Sequence, residues 1–258
     1  MTLGFVGTGT MTAAMVTGLN AAAAGSRAIV VSPRNRAVAA EIASRCPRVT
    51  IAESNQEVLD NCDTIVLAVR PQIAESVLAS LRFRADHHVI SIVATFGVRK
   101  LRKLTSPASR VTRAVPLISA ARRESPTAIY PHDAEAMDLF SSIGAPFAVD
   151  TEEEFDALSA ASATVASYFA FADTVASWLA ERGISPAIAR DYVAQILPAL
   201  GESAATAPSS SFRAMATSHA TAGGLNEQLL RHLEERKIFT ALTDGLDRVM
   251  LRVTAANQ

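Results

Sequence analysis

The sequence predicts an α/β sheet domain over residues 1–150 followed by an all-helical domain over residues 151–258. Three observations predict it. Short β-branched runs alternate with helix-like stretches through the first half; a Gly-x-Gly turn, Gly7-Thr8-Gly9, joins the first run to the first helical stretch; and beyond Asp150 Ala-rich, Leu-punctuated segments replace the β-branched runs. With 258 residues, 49% of them hydrophobic, the chain can bury substantial cores and is not disordered.

Strands are expected at 3–6, 28–31, 49–51, 64–69, 89–93 and 110–113. Crossover helices at 11–24, 36–45, 72–81 and 98–104 are long enough to return the chain to the same end of a parallel sheet. Segments 127–130 and 146–149, flanking a helix at 133–143, add a further unit. The helical half starts at Thr151-Glu152-Glu153-Glu154, where a Thr followed three residues later by a Glu is a capping box and acids suit the positive end of the helix dipole. That acid cluster therefore reads as a helix start and not as a metal site. An apolar helix is expected at 157–172, then helices at 186–202, 211–217, 225–235 and 238–253, separated by Gly183, Pro208 and Gly223-Gly224.

Composition excludes several classes. Basic and acidic residues number 24 and 25, so a net charge of −1 gives a polyanion no long-range attraction and no nucleic-acid partner is expected. Cys46 and Cys62 are neither CxxC-spaced nor accompanied by clustered histidines, which argues against disulfides and metal and for a reducing, cytoplasmic setting. The N-terminus runs into a strand with no basic leader region, so no signal peptide is expected. Segment 157–172 is uncharged but short and rich in Ser and Thr, unlike the ~20 apolar residues of a membrane span, so no membrane partner is expected either. The lysines are Lys100, Lys103 and Lys237 alone, none placed for a P-loop or a Schiff base. The run Arg99-Lys100-Leu101-Arg102-Lys103 reads as the solvated face of an amphipathic helix.

The Gly7-Thr8-Gly9-Thr10-Met11 turn, after a strand and before a helix, is the phosphate-cradling turn of a Rossmann-type dinucleotide-binding domain. Gly7 permits the turn, Gly9 admits a pyrophosphate, and the first amides of the helix meet its charge. At the end of the second strand, where an NAD enzyme carries an acid for the ribose 2′-hydroxyl, stands Ser32-Pro33-Arg34-Asn35-Arg36. A hydroxyl and guanidinium groups suit a 2′-phosphate, so Ser32 and Arg34 predict NADPH over NADH, with Arg36 either a second contact or a solvated helix residue.

Together with Leu67-Ala68-Val69-Arg70-Pro71-Gln72, Ser91-Ile92-Val93-Ala94, Arg113-Ala114-Val115-Pro116 and residues 217–224, this turn makes the chain resemble the pyrroline-5-carboxylate reductases over nearly its whole length. The resemblance implies an NAD(P)-dependent oxidoreductase of proline biosynthesis that reduces a cyclic imine carboxylate, 1-pyrroline-5-carboxylate, to L-proline, with the helical domain forming a homodimer or larger homo-oligomer. It implies that Ala68, Val69, Arg70 and Pro71 meet the nicotinamide ribose, Arg70 replacing a Lys, and that Val115 and Pro116 lie beside the nicotinamide. Three segments depart from the family pattern. Leu117 replaces an Asn of the RAMPNTPA loop. Ser162-Ala163-Thr164-Val165-Ala166-Ser167-Tyr168 replaces SGSGPAY, keeping Ser162 as a substrate contact but turning a flexible turn into ordinary helix former. Thr221-Ala222-Gly223-Gly224-Leu225-Asn226 replaces SPGGTT, with Asn226 where a Thr would contact the imine nitrogen.

The residues of that last segment also argue for themselves. Gly223-Gly224 precede a helix whose amides and dipole would hold a carboxylate, helped by the Thr221 hydroxyl, although a plain helix-to-helix turn uses Gly in the same way. His219, two residues before Thr221, is placed to orient substrate or donate a proton, with a helix-end role as the alternative. His87, His88 and His132 are expected in loops or strand edges, solvated, and His232 on a charged helix face. A protonated imine needs no strong general acid, and residues 156–178 lack the Lys of the related hydroxyacid dehydrogenases, which disfavours alcohol oxidation; the resemblance implies Thr221 and Asn226 as catalytic residues, with His219 added by its position. The apolar 157–172 helix with Trp178 and Leu179 exceeds what one helical domain can cover, predicting a homodimer. A reductase of another cyclic imine or related small substrate, and a non-catalytic dinucleotide sensor, are the alternatives.

Overall fold

A computed structural model of the chain describes residues 2–22 and 27–257. Two compact units divide it: Met1–Ser162 together with Met250–Gln258, and Ala163–Val249.

The first unit is an α/β sheet domain, as its sequence alternation predicts. Its strands are β1 (Leu3–Val6), β2 (Ile29–Val31), β3 (Val49–Ile51), β4 (Thr64–Leu67), β5 (His88–Ser91), β6 (Arg110–Val115), β7 (Ser125–Tyr130) and β8 (Gly144–Ala148). Its helices are α1 (Thr10–Ala21), α2 (Arg36–Arg45), α3 (Asn55–Asn61), α4 (Pro71–Ala79), α5 (Val98–Leu104), α6 (Ala134–Ser141) and α7 (Glu152–Ser162). The end of the helix expected at 11–24 lies outside the described residues. One sheet runs in the order β3-β2-β1-β4-β5-β6-β7-β8. Pairs from β3 to β6 are parallel, but β7 enters antiparallel to β6. The reason is the connection: a 3-10 turn, Ile118–Arg122, is far shorter than the dozen or more residues a parallel crossover needs.

Alternation along the strands sorts side chains onto two cores. Leu3 and Phe5 of β1, Val66 of β4, Ile90 of β5 and Ala114 of β6 pack with Met15, Val16 and Phe140 on one face. Val6, Ile65, Leu67, Val89 and Val111 pack with Val58, Leu78 and Leu101 on the other.

The second unit contains α8 (Val165–Ala180), α9 (Pro186–Thr206), α10 (Phe212–His219), α11 (Leu225–Glu235) and most of α12 (Ile238–Asn257). Among the described residues no helix is long and apolar enough to cross a membrane.

Three expectations are corrected. The helix expected at 157–172 is two helices, because the chain breaks at Ala163-Thr164 between α7 and α8 even without the glycines and proline of the family motif. Helix α3 was not expected at all, although Ser54 caps it by accepting from the Glu57 N–H at 3.1 Å while the Glu57 carboxylate accepts from the Glu53 N–H at 2.6 Å. That reciprocal pair is the capping-box signal that opened α7, here followed by too short a helical run to show a period. Finally, β5 begins at His88, so His87 and His88 are not solvated but fully buried.

Candidate active site

The reversal of strand order between β1 and β4 opens a crevice at the carboxyl ends of those strands, where doubly wound sheets bind ligands. Gly7, with φ +104°, turns the chain out of β1, and a Cβ there would stand 2.5 Å from the Ala68 carbonyl oxygen. Gly9 caps α1, and a Cβ there would meet nothing within 4 Å, so the space above the turn is open. Intrahelical bonding starts with the Ala13 N–H donating to the Gly9 carbonyl, which leaves the amides of Thr10, Met11 and Thr12 as the orphan donors facing that space. An anionic pyrophosphate fits this cradle. Thr12 at the third fingerprint position is accommodated because its hydroxyl donates back to the Gly7 carbonyl at 2.7 Å.

Ser32 directly follows β2 and lies against the glycine turn. Its hydroxyl is fully buried, accepting from the Gly7 N–H at 2.9 Å and lying 3.1 Å from the Thr8 hydroxyl, which itself donates to the Ser32 carbonyl at 2.6 Å. That hydroxyl thereby braces the glycine turn. Arg34 stands exposed after β2, and Asn35 caps α2 by accepting from the Val38 N–H. Arg36, at the first position of α2, is also exposed.

Three further segments converge on a cleft of about 270 Å³ lined by Met11, Ala68, Val69, Arg70, Ile92, Ala94, Val115 and Pro116. Arg70 is held extended by the following Pro71, which occupies the first turn of α4, so its guanidinium is presented at the mouth and not within a helix. The Leu117 N–H donates to the Ser125 hydroxyl at 2.8 Å, so the residue after Pro116 is pinned by its backbone. Beside the cleft lies an ionic group that sequence reasoning missed. Arg113 is 1% exposed, stacks 4.3 Å over the Phe155 ring, and donates to Glu152 at 2.8 Å, to Asp156 at 2.9 Å and to the Ala94 carbonyl at 3.2 Å.

At the opposite, amino-terminal ends of the same strands sits a second buried group. His88 Nδ1 lies 3.3 Å from Glu135 and its Nε2 3.2 Å from the Thr112 hydroxyl. Arg110 forks onto Asp133 with both contacts at 2.8 Å and reaches Glu135 at 3.0 Å, while the Thr64 hydroxyl donates to Glu135. Burial holds the His88 imidazole below its usual range, against the pull of Asp133 and Glu135. Burial would raise both carboxyls, but the bonds from Arg110 and Thr64 and the charges of His88 and Arg110 hold them below the ordinary range. Nothing in sequence separation ties residues 64, 88 and 110 together; strand register does, and Asp133, capping α6, joins them through Arg110.

In the second unit, Gly223 turns with φ +73° and Gly224 caps α11. The Gly224 N–H donates to the Thr221 carbonyl at 2.8 Å, and the Gly223 N–H donates to the Glu227 carboxylate at 2.7 Å. One of the amides expected to hold a ligand carboxylate is thus taken by the chain's own, and the amides of Leu225 and Asn226 open the helix. The Asn226 side-chain amide donates to the His219 carbonyl at 3.1 Å, and Asn226, Thr221 and His219 are exposed. Ser162 belongs to the first unit, where its hydroxyl donates to the Ser159 carbonyl at 2.6 Å. Among the described residues no cluster of three or more His, Cys, Asp or Glu is arranged to hold a metal, and Cys46 and Cys62 are free and buried.

Residues 2–95 match the family described as NADP oxidoreductase coenzyme F420-dependent, and residues 152–255 match the family described as pyrroline-5-carboxylate reductase dimerisation. A pyrroline-5-carboxylate reductase of Pseudomonas aeruginosa is 27% identical over 65% of this chain and 64% of its own length. Pyrroline-5-carboxylate reductase 3 of Macaca fascicularis is 32% identical over 44% of this chain and 42% of its own. The chain thus spans less than two thirds of either curated relative. Among solved structures, the 1-pyrroline-5-carboxylate reductase of Streptococcus pyogenes superposes with a TM-score of 0.84 at 24% identity, covering 99% of this chain and 98% of that one. The Plasmodium falciparum pyrroline carboxylate reductase with NADP bound also gives 0.84, at 19% identity over 100% and 98% of the two chains.

Proposed function

We propose that the chain is a reductase of the pyrroline-5-carboxylate reductase family, whose dimerisation model matches residues 152–255, and that it reduces the C=N bond of a cyclic imine carboxylate, 1-pyrroline-5-carboxylate, to give L-proline. The observation that carries this reading is the convergence of the Gly7–Met11 turn and the segments after β4, β5 and β6 on one cleft. Held there, NADPH would supply a hydride for the imine carbon, with a proton for the nitrogen completing the reduction.

The remaining work falls to this chain's own groups. The amides of Thr10 and Met11, with the open space over Gly7, Thr8 and Gly9, bind the pyrophosphate. Arg34 selects the 2′-phosphate, with Ser32 acting through the turn it braces. Ala68, Val69, Arg70, Pro71, Val115 and Pro116 hold the nicotinamide end and exclude water from it. Thr221, the turn Gly223-Gly224 and the first amides of α11 receive the substrate carboxylate once Glu227 yields its place, with Ser162 a further substrate contact. Asn226 presents its side-chain amide to the substrate nitrogen, and His219, two residues before Thr221, is the group of that segment that passes the proton.

We assign cofactor binding to residues 1–150 and substrate binding and dimerisation to 151–258, the second supported by the family match over 152–255. The free cysteines support a reducing, cytoplasmic setting. The deciding experiment is NADPH oxidation followed with a panel of cyclic imines, with and without a ring carboxylate. Substrate-dependent oxidation fastest with 1-pyrroline-5-carboxylate is expected; turnover of another imine only would reassign the substrate, and cofactor binding without any turnover would make the chain a sensor.

A further inference from the structure

Between β5 and α5 the chain runs through Ala94-Thr95-Phe96-Gly97 before Val98 opens the helix, and Ala94 forms part of the cleft wall. Both ends of this segment are tied to one pair of side chains. The Ala94 carbonyl accepts from Arg113 Nη2 at 3.2 Å, and the Val98 N–H donates at 2.8 Å to Glu152 Oε1, the same oxygen that accepts from Arg113 Nη1 at 2.8 Å. Arg113 stands on β6 just before Val115 and Pro116, which also line the cleft.

We propose that Arg113, clamped by Glu152, is a positioning residue for the cofactor pocket, holding the 94–98 segment against β6 so that the Ala94 and Val115 walls keep a fixed separation. This inference rests on the cofactor reading of the cleft given above. Stability alone is a poor account of the arrangement. Taking a guanidinium out of water costs roughly what its ion pairs return, and Arg113 Nε has no hydrogen-bond partner among the described residues. What the group accomplishes instead is geometric: one planar fork reaches a carbonyl on one side and two carboxylates on the other, which no lysine could do. Glu152 sits at the start of α7, so the first helix of the segment matched by the dimerisation family is what fixes a wall of the cofactor cleft.

The test uses the full chain and compares Glu152→Ala, Glu152→Gln, Arg113→Lys and, as a stability reference at the other ends of the same strands, Glu135→Ala. NADPH dissociation constants are read from the cofactor's fluorescence enhancement, with kcat, KM and melting temperature measured alongside. Glu152→Ala is expected to weaken NADPH binding and lower kcat/KM by about tenfold or more, the scale on which a misplaced pocket wall acts. Glu152→Gln, which keeps the oxygen that accepts from Val98, is expected to recover most of that loss, and Arg113→Lys is not. Glu135→Ala is expected to lower the melting temperature with NADPH affinity intact. Wild-type NADPH affinity in Glu152→Ala despite a lowered melting temperature, or no rescue by Gln, would overturn the positioning role while leaving the functional reading in place. Failure of the unaltered chain to bind NADPH would overturn both.

Discussion

The two units bury themselves by opposite means. In the first, β1, β4 and β5 are buried along their whole length, with helices on both faces. In the second, helix α8 has no buried residue at all, and Tyr168, Phe169 and Phe171 stand 63%, 68% and 56% exposed within the single chain. The sequence of α8 is nevertheless among the most apolar in the molecule, and α9 continues the pattern with Ile188, Tyr192 and Leu200 exposed. An apolar patch of this extent on a monomer marks an interaction surface. A parallel sheet is finished by its own crossover helices, whereas a set of amphipathic helices whose apolar faces point outward needs another surface to finish it. Since the 152–255 match is to a dimerisation family, a second copy of this chain is the proposed cover.

The sharpest way to break the comparison is a charge in the uncovered surface. Phe169→Glu should leave the sheet unit folded, convert the protein to monomers by light scattering and remove most of its activity, because a carboxylate in an interface core costs several kcal/mol. An active 27.2 kDa species at micromolar concentration would refute the dependence of function on assembly.

Next in size is overpacking of the finished core. A Cβ at Gly18 of α1 would stand 2.0 Å from the Ala120 carbonyl oxygen of the 3-10 turn, whereas one at Gly245 of α12 would meet nothing within 4 Å. Gly18→Ala should therefore lose about 1–3 kcal/mol in urea denaturation. Gly245→Ala should gain up to about 1 kcal/mol from helix propensity. Equal effects at the two positions would erase the distinction.

Acid should act on the sheet unit through the His88 group. Because burial lowers the folded pKa of His88 below its ordinary 6.5, the unfolded chain binds the extra proton first, so stability falls as pH drops below about 6.5 and levels off under the folded value. Asp133 and Glu135, lowered from 3.8 and 4.5, add a second loss as pH falls from about 4.5 through their folded values. Melting temperatures across pH 3–8 measure both, and His88→Gln should shrink the upper step to the part contributed by His87, whose imidazole burial also lowers.

Smaller effects are expected at the ligand-facing residues. Arg34→Ala should weaken NADPH binding by roughly 1–2 kcal/mol and leave NADH nearly unchanged, as for one charge-assisted contact; equal losses would remove Arg34 from cofactor selection. Glu227→Gln should lower KM for a carboxylate-bearing imine a few-fold, since it removes a competing charge from the Gly223 amide. An unchanged KM would place the substrate carboxylate elsewhere.

How far the sequence carries can be argued from particular residues. The Gly7-Thr8-Gly9 turn, the Arg70-Pro71 junction and the strands around them were legible because local chemistry dictates each: a left-handed φ, a restricted residue before proline, a β-branched run. The α3 helix was equally legible through Ser54 and Glu57, but its seven residues carry no period to confirm it. The bond from the Gly7 N–H to the Ser32 hydroxyl, which braces that turn across 25 residues, has no local mark in the sequence. By itself, then, the sequence determined the succession of strands and helices, the phosphate-cradling turn and the change to helix after Asp150, because these depend on neighbours a few residues apart. The antiparallel entry of β7, the burial of His88 between Glu135 and Thr112, and the clamp of Arg113 and Glu152 on both ends of one loop were decided only by tertiary structure. They join groups tens of residues apart whose meeting depends on strand order and register, and a linear chain carries no local mark of either.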